Sequence, residues 1–90
     1  MWYVYLLMCF DNTIYTGITN NLERRISQHN RGKGAKYTRG RGPVVLIKSF
    51  VLPTKSEALK LEHKIKQMSR EEKLEFKNEK TLPQTNGTDQ

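Results

Sequence analysis

The stretch of residues 15–29 constrains the fold of this chain more than any other part of its sequence. A short run of strand-forming residues ends at Gly17, and Asn20 or Asn21 then suits the N-cap of an amphipathic helix. The spacing i, i+3, i+4, i+7 places four residues on one face of this helix: Leu22, Arg25, Ile26 and His29. Because an unpaired buried charge is costly, an arginine and a histidine on the inward face indicate a polar cleft beneath the helix.

The residues before this helix predict an antiparallel hairpin. Residues 2–9 are rich in aromatic and β-branched side chains and predict a first strand, and residues 14–18 predict a second. The connection between them contains Asp-Asn, which is typical of a turn. The alternation of side chains along strands can bring Tyr5 close to Tyr15, and Gly17 allows another group to approach the backbone closely.

A third strand and two further helices complete the predicted fold. The apolar run of residues 44–52 predicts a strand that we expect to be the best covered of the three. Thr54 begins a capping box and a helix whose apolar stripe includes Glu62. Ser69 begins a second capping box and a short helix that can dock Leu74. The predicted class is α/β (α+β), a small three-stranded antiparallel sheet flanked by helices.

The composition bounds the domain organisation and excludes several kinds of site. Ninety residues predict one domain, which we place over residues 1–80, and the polar residues 81–90 predict a disordered tail. A single cysteine excludes an intramolecular disulfide, and one cysteine with two histidines excludes a zinc cluster. The apolar opening is too short for a membrane span, so we expect a cytoplasmic protein without membrane contact.

Positive charge is concentrated in the middle of the chain. The formal net charge is +7, and no Asp or Glu occurs between Arg24 and Ser56. A continuous basic block favours a polyanionic partner through phosphate neutralisation, whereas charge that serves only solubility is more often interspersed. Residues 31–42 carry four glycines and five positive charges, so we interpret them as an exposed, mobile loop that binds nucleic acid.

Seven residues in or near this loop are candidates for nucleic-acid binding. They are Arg24, Arg31, Lys33, Lys36, Tyr37, Arg39 and Arg41. The tyrosine among them is open to two interpretations, because it can stack on a base or pack against the domain as an anchor.

Five residues on the predicted elements can share one cleft. They are Tyr5, Tyr15, Arg25, His29 and Glu62. Each also has a structural interpretation: the arginine and the glutamate can form a buried ion pair, the histidine can be a hydrogen-bonded core residue, and the tyrosines can serve packing alone. Periodicity by itself leaves both interpretations open.

The spacing of the tyrosine motifs resembles that of the GIY-YIG nuclease family. The pattern Tyr3-Val4-Tyr5, nine residues and Tyr15-Thr16-Gly17 is followed by Asn21-Leu22 and Arg25, and the segment of residues 58–62 resembles the family's later helix with its acidic residue. The similarity runs from about residue 3 to residue 68 and favours the compact, single-domain, uncharacterised bacterial subgroup. Two motif positions depart from the family, since Tyr3 replaces a glycine and Thr16 an isoleucine, and Asn78 is no clear counterpart of its late asparagine.

The resemblance implies a metal-dependent endonuclease that hydrolyses phosphodiester bonds in DNA. It implies that Tyr5 or Tyr15 is the base or positions the water, Arg25 contacts the phosphate, His29 relays a proton and Glu62 holds Mg²⁺ or Mn²⁺. The small size favours a monomer directed by DNA structure, with DNA repair as the setting and a partner protein supplying specificity. The alternatives are a nucleic-acid-binding module that kept the fold without activity, and an adaptor that uses the basic face.

Overall fold

A computed structural model of the chain describes residues 1–32 and 42–77. Five of the candidate nucleic-acid-binding residues and the predicted tail lie outside the described residues. The described elements are β1 (Trp2–Met8), β2 (Ile14–Thr19), α1 (Leu22–Asn30), β3 (Val45–Leu52), α2 (Lys55–Lys66) and α3 (Arg70–Glu75). Among the helices in these ranges, none combines the length and the apolar character that a membrane span needs.

The three strands form one antiparallel sheet in the order β2-β1-β3, which confirms the predicted fold class. The central strand is β1, where the four residues from Val4 to Leu7 are buried. The expectation that the third strand would be the best covered is wrong, because β3 lies at an edge and Val45 is 61% exposed. A continuous apolar run indicates burial on both faces, but it does not reveal which strand takes the middle position.

Helices cover both faces of the sheet. On one face Val4 and Leu6 of β1 pack against Ala58, Leu61 and Ile65 of α2, in a core that is apolar throughout. On the other face lies a smaller cluster in which β1 and α1 meet residues of β2 and of the adjoining turns: Tyr5, Leu7, Cys9 and Val44 with Tyr15, Leu22 and Ile26. Of the residues predicted for the cleft, Tyr5 and Tyr15 belong to this second face, whereas Glu62 lies on α2.

The helix starts follow the sequence. The Asn21 side chain accepts a hydrogen bond from the backbone N–H of Arg24 at 3.1 Å, and Thr54 caps α2 in the same way through Glu57. The capping box at Ser69 and Glu72 is complete, with hydrogen bonds of 3.2 and 2.7 Å. These local interactions confirm the predicted starts of all three helices.

The docking residue of the last helix is not the predicted one. Leu74 is 38% exposed, and Phe76, just past the end of α3, packs instead, with its ring centroid 5.5 Å from that of Phe50. The Lys48 ammonium donates a hydrogen bond of 2.9 Å to the Phe76 carbonyl and fixes this return of the chain. The helix ends at Glu75, and the extended residue after it, Phe76, packs against the core.

Candidate active site

Two tyrosines and a histidine form an aromatic cluster on the α1 face of the sheet. The Tyr5 hydroxyl lies 2.9 Å from His29 Nε2, within hydrogen-bond distance. The Tyr15 ring centroid lies 6.2 Å from that of Tyr5 and 5.2 Å from that of His29. Tyr5 and His29 are each 1% exposed, whereas Tyr15 is half-buried, so Tyr15 forms the side of the cluster nearer to solvent.

Gly17 makes this arrangement sterically possible. It pairs with Tyr5 across the hairpin, and the Tyr5 ring lies over its backbone. A Cβ atom at Gly17 would come within 2.6 Å of the Tyr5 hydroxyl and 2.9 Å of Tyr15 Cε2. The sequence predicted that Gly17 allows another group to approach its backbone closely, and the groups that do so are the rings of Tyr5 and Tyr15.

Burial keeps Tyr5 and His29 neutral. Desolvation raises the pKa of Tyr5 to about 12, although a hydrogen bond from Arg25 acts in the opposite direction. Desolvation and, to a lesser extent, the positive charge of Arg25 lower the pKa of His29 to about 4. Near pH 7 the hydrogen bond between Tyr5 and His29 thus joins two uncharged groups, with the direction of donation set by the imidazole tautomer.

Arg25 links the aromatic cluster to the surface of α1. Its guanidinium interacts with the Tyr5 hydroxyl, and its Nη1 donates a hydrogen bond of 3.1 Å to Gln28 Oε1. The side chain is half-buried, so one part contacts the cluster and another remains accessible. Sequence reasoning missed Gln28, although its position three residues after Arg25 on one helix was a usable signal.

Glu62 approaches this cluster from α2. Its charge contributes to the raised pKa of Tyr5 as the last of several causes, which places the carboxylate within electrostatic range of the phenol. Within the described residues its ion pair is with Lys66, at 3.2 Å, so it does not form the structural pair with Arg25 that the sequence left open. The Glu62 side chain is 17% exposed.

The ligands available for a metal ion are few. Over residues 1–32 and 42–77, no group of three or more His, Cys, Asp or Glu side chains is arranged to hold one. A hydrated divalent cation, by contrast, needs only one or two carboxylates from the protein. Glu62 fits this second type of site, as a single carboxylate within electrostatic range of Tyr5.

A polar groove of about 180 Å³ lies next to the cluster, where β2 leads into α1. Its lining residues are Thr19, Asn20, Asn21, Arg24, Arg25 and Gln28. Arg25 is shared between the groove and the cluster. Of the other candidate nucleic-acid-binding residues, Arg31 is exposed at the C-terminal end of α1.

This combination of sheet, tyrosine pair and helix arginine is that of a known class of catalytic domain. The family model of the GIY-YIG catalytic domain matches residues 1–75 of the chain. The chain therefore belongs to the GIY-YIG family.

Several proteins that the chain is similar to carry the name UPF0213. The UPF0213 protein OB0043 of Oceanobacillus iheyensis is 57% identical over 76 residues, which cover 82% of this chain and 86% of that protein. The solution structure of the UPF0213 protein BH0048 of Bacillus halodurans has a TM-score of 0.51 at 50% identity, covering 81% of this chain and 79% of that one. The solution structure of the protein EF2693 of E. faecalis has a TM-score of 0.56 at 43% identity, covering 80% and 77%.

Proposed function

We propose that this chain is a metal-dependent endonuclease that hydrolyses phosphodiester bonds in DNA and is directed by DNA structure rather than by sequence. Its membership of the GIY-YIG family supports the reaction class. The observation that carries the proposal is the convergence of Tyr5, Tyr15, His29 and Arg25 at Gly17 on one face of the sheet. Glu62 lies within electrostatic range of this cluster.

In this proposal Arg25 binds the phosphate that is cleaved. A guanidinium is always charged and presents a planar fork of donors to phosphate oxygens, where negative charge grows in the transition state. Gln28 accepts a hydrogen bond from Arg25, and Arg25 also interacts electrostatically with Tyr5, so both contacts would limit its rotation before substrate arrives. This preorganisation is the main contribution of α1 to the reaction.

The tyrosines take different roles. A general base must reach the attacking water, and Tyr5 is buried, with a pKa raised to about 12 and its hydroxyl engaged by His29. Tyr15 is half-buried on the outer side of the cluster. We therefore assign the contact with the water to Tyr15 and the positioning of Arg25 to Tyr5, which His29 in turn holds in place.

Glu62 would hold the metal ion, Mg²⁺ or Mn²⁺. When bound there, the ion would supply Lewis-acid stabilisation of the phosphoryl oxygens and the leaving alkoxide. Lys66 occupies the Glu62 carboxylate at 3.2 Å and must release it for the ion to bind. This exchange is feasible because Lys66 is 51% exposed and such pairs contribute little stability.

The test is nicking of supercoiled, single-stranded and branched DNA with Mg²⁺ or Mn²⁺ and with a chelator. The decisive variant is Glu62→Gln, and the matched control is Glu57→Gln, an exposed acid on the same helix. We expect metal-dependent cleavage in the wild type and in Glu57→Gln, and none in Glu62→Gln while DNA binding persists. Cleavage that survives in Glu62→Gln would refute the metal assignment.

A non-catalytic nucleic-acid-binding module is the second candidate. It is favoured by the ion pair with Lys66, which engages the carboxylate of the proposed metal ligand Glu62 in the free protein. Salt-sensitive DNA binding without cleavage on any of the three substrates would establish this candidate and refute the nuclease.

A further inference from the structure

We propose that the groove at the start of α1 binds one backbone phosphate of the nucleic acid, next to the phosphate that is cleaved, and reads no base. This inference rests on the proposed nuclease function, because it places the groove along the path of the substrate strand. It adds a second anion subsite, built around Arg24, to the single phosphate contact of Arg25.

The charge of the groove fits a phosphate. Two of its six lining residues are arginines at neighbouring positions of α1, and no acidic residue lines it. Arg24 is exposed, and within the described residues its recorded hydrogen bond uses its backbone N–H rather than its guanidinium. The guanidinium is therefore available for a charge-assisted hydrogen bond to an anion.

The groove walls are held in place by their own hydrogen bonds. The Thr19 hydroxyl donates to the Asn21 carbonyl at 3.2 Å and accepts from its backbone N–H at 3.1 Å. The Asn21 side-chain oxygen caps α1, so its amide nitrogen is the group that can turn toward a ligand. Gln28 likewise uses its oxygen to hold Arg25 and keeps its amide nitrogen as a donor. The walls thus carry hydrogen-bond donors as well as charge.

The size and composition of the groove favour a phosphodiester over a nucleobase. Its volume of about 180 Å³ is below the roughly 300–1,000 Å³ of pockets that enclose a whole small molecule. Recognition of unpaired bases relies on stacking with aromatic side chains, and none of the lining residues is aromatic. A subsite of this kind contacts the backbone and is indifferent to sequence.

Arg25 connects the two subsites. It lines the groove and also interacts with Tyr5, so a strand that passes over it can place one phosphate in the groove and the neighbouring phosphate beside the tyrosines. The groove would then fix the register of the strand relative to Tyr15. Positioning of this kind contributes to catalysis by holding the reacting atoms in a productive geometry.

The experiment measures DNA binding in the Glu62→Gln background, where cleavage does not interfere. Fluorescence anisotropy with two labelled duplexes, one a scrambled version of the other, gives Kd at several salt concentrations. On duplex DNA each neutralised phosphate contributes about −0.9 to the slope of log K against log salt. We compare Arg24→Gln, Arg24→Lys and the control Lys60→Gln, which removes the same charge from the exposed side of α2.

We expect Arg24→Gln to make the slope shallower by about 0.9 on both duplexes, Arg24→Lys to restore most of it, and Lys60→Gln to leave it unchanged. A slope unchanged in Arg24→Gln, or a change on one sequence only, would overturn the subsite. Thermal unfolding checks that the variants fold.

Failure of the subsite and failure of the nuclease are distinguishable. Wild-type cleavage with an unchanged Arg24→Gln slope refutes the subsite alone, and the expected slope change without wild-type cleavage refutes the nuclease alone. Absence of DNA binding in the Glu62→Gln background overturns the subsite whatever the cleavage result.

Discussion

Substitution of Gly17 by alanine should destabilise the protein because it places a methyl group inside the tyrosine cluster. The new Cβ would lie 2.6 Å from the Tyr5 hydroxyl and 2.8 Å from Tyr5 Cζ, where ordinary contacts begin at 3.4 Å. The Tyr5 ring cannot retreat freely, since it is 1% exposed and its hydroxyl is bonded to His29. Overpacking of this kind costs about 1–3 kcal/mol.

An opposing effect reduces the net loss. Replacing glycine by alanine restricts the unfolded chain, which stabilises the folded state by about 0.4–1 kcal/mol where the backbone conformation suits alanine. Gly17 meets this condition because it does not adopt a positive φ. We therefore expect Gly17→Ala to lower the free energy of unfolding by about 1–2 kcal/mol in total. For a chain of this size that corresponds to a fall in Tm of roughly 5–15 °C.

The assay is thermal and urea unfolding followed by circular dichroism, in a double-mutant cycle with Tyr5→Phe. Removing the hydroxyl eliminates the 2.6 Å contact but leaves Cζ, so Tyr5→Phe should restore part of the stability lost in Gly17→Ala. The coupling energy should exceed about 0.5 kcal/mol. Gly42→Ala is the control, because the nearest atom to its Cβ would be Asn30 Oδ1 at 4.0 Å.

The reasoning is refuted if Gly17→Ala unfolds at the wild-type temperature, or if the two substitutions are additive. Either result would mean that the ring is not held over the glycine. If the Tyr5 ring can move so readily, it cannot hold the Arg25 side chain in a fixed orientation.

Three further predictions concern stability. The pKa of His29 falls from 6.5 to about 4 on folding, so the unfolded chain binds more protons than the folded chain between these pH values. The free energy of unfolding should therefore decrease as pH falls through this window, by at most about 3 kcal/mol. Urea titrations from pH 7 to pH 4 test this, and the His63→Gln variant, which changes an exposed histidine, is the control that should keep the effect. Thr16→Val should raise Tm, because the buried Thr16 hydroxyl has no hydrogen-bond partner within the described residues and its burial costs about 1 kcal/mol or more. Ser69→Ala should lower the free energy of unfolding by about 1 kcal/mol through loss of the α3 cap, as measured by urea unfolding.

Local features of the fold could be predicted from the sequence because their causes are local. Capping residues such as Ser69 determine where a helix starts, and helical spacing correctly predicted an inward-facing His29 on the same helix face as the half-buried Arg25. The proximity of Tyr5 and Tyr15 could be predicted from the alternation of side chains along the strands and from the length of the hairpin. These features depend on residues close together in the chain.

The features that sequence reasoning missed depend on contacts between distant segments. The central position of β1 is decided by pairing with strands on both sides, so the apolar run of β3 could not reveal that β3 is an edge. Phe76 packs against the core where Leu74 was expected, and Lys48, 28 residues earlier, donates a hydrogen bond to the Phe76 carbonyl. The neutral state of His29 likewise depends on its burial against Tyr5, which helical periodicity does not measure.

The two faces of the sheet differ in function, since one forms the apolar core and the other carries the polar residues, and this explains how so short a chain can hold a polar site. The α2 face supplies a continuous apolar core, so the stability of the domain does not depend on the α1 face alone. The α1 face can then bury Tyr5 and His29, because the Tyr5 hydroxyl and His29 Nε2 hydrogen-bond to each other, although burial strongly shifts both pKa values. Glu62 belongs to α2 but acts on Tyr5, so the packing of α2 on the sheet also sets the distance between the proposed metal ligand and the tyrosine cluster. A loss of packing on the apolar face should therefore reduce the proposed catalysis as well as stability, whereas removal of the exposed Arg24 guanidinium should leave stability intact.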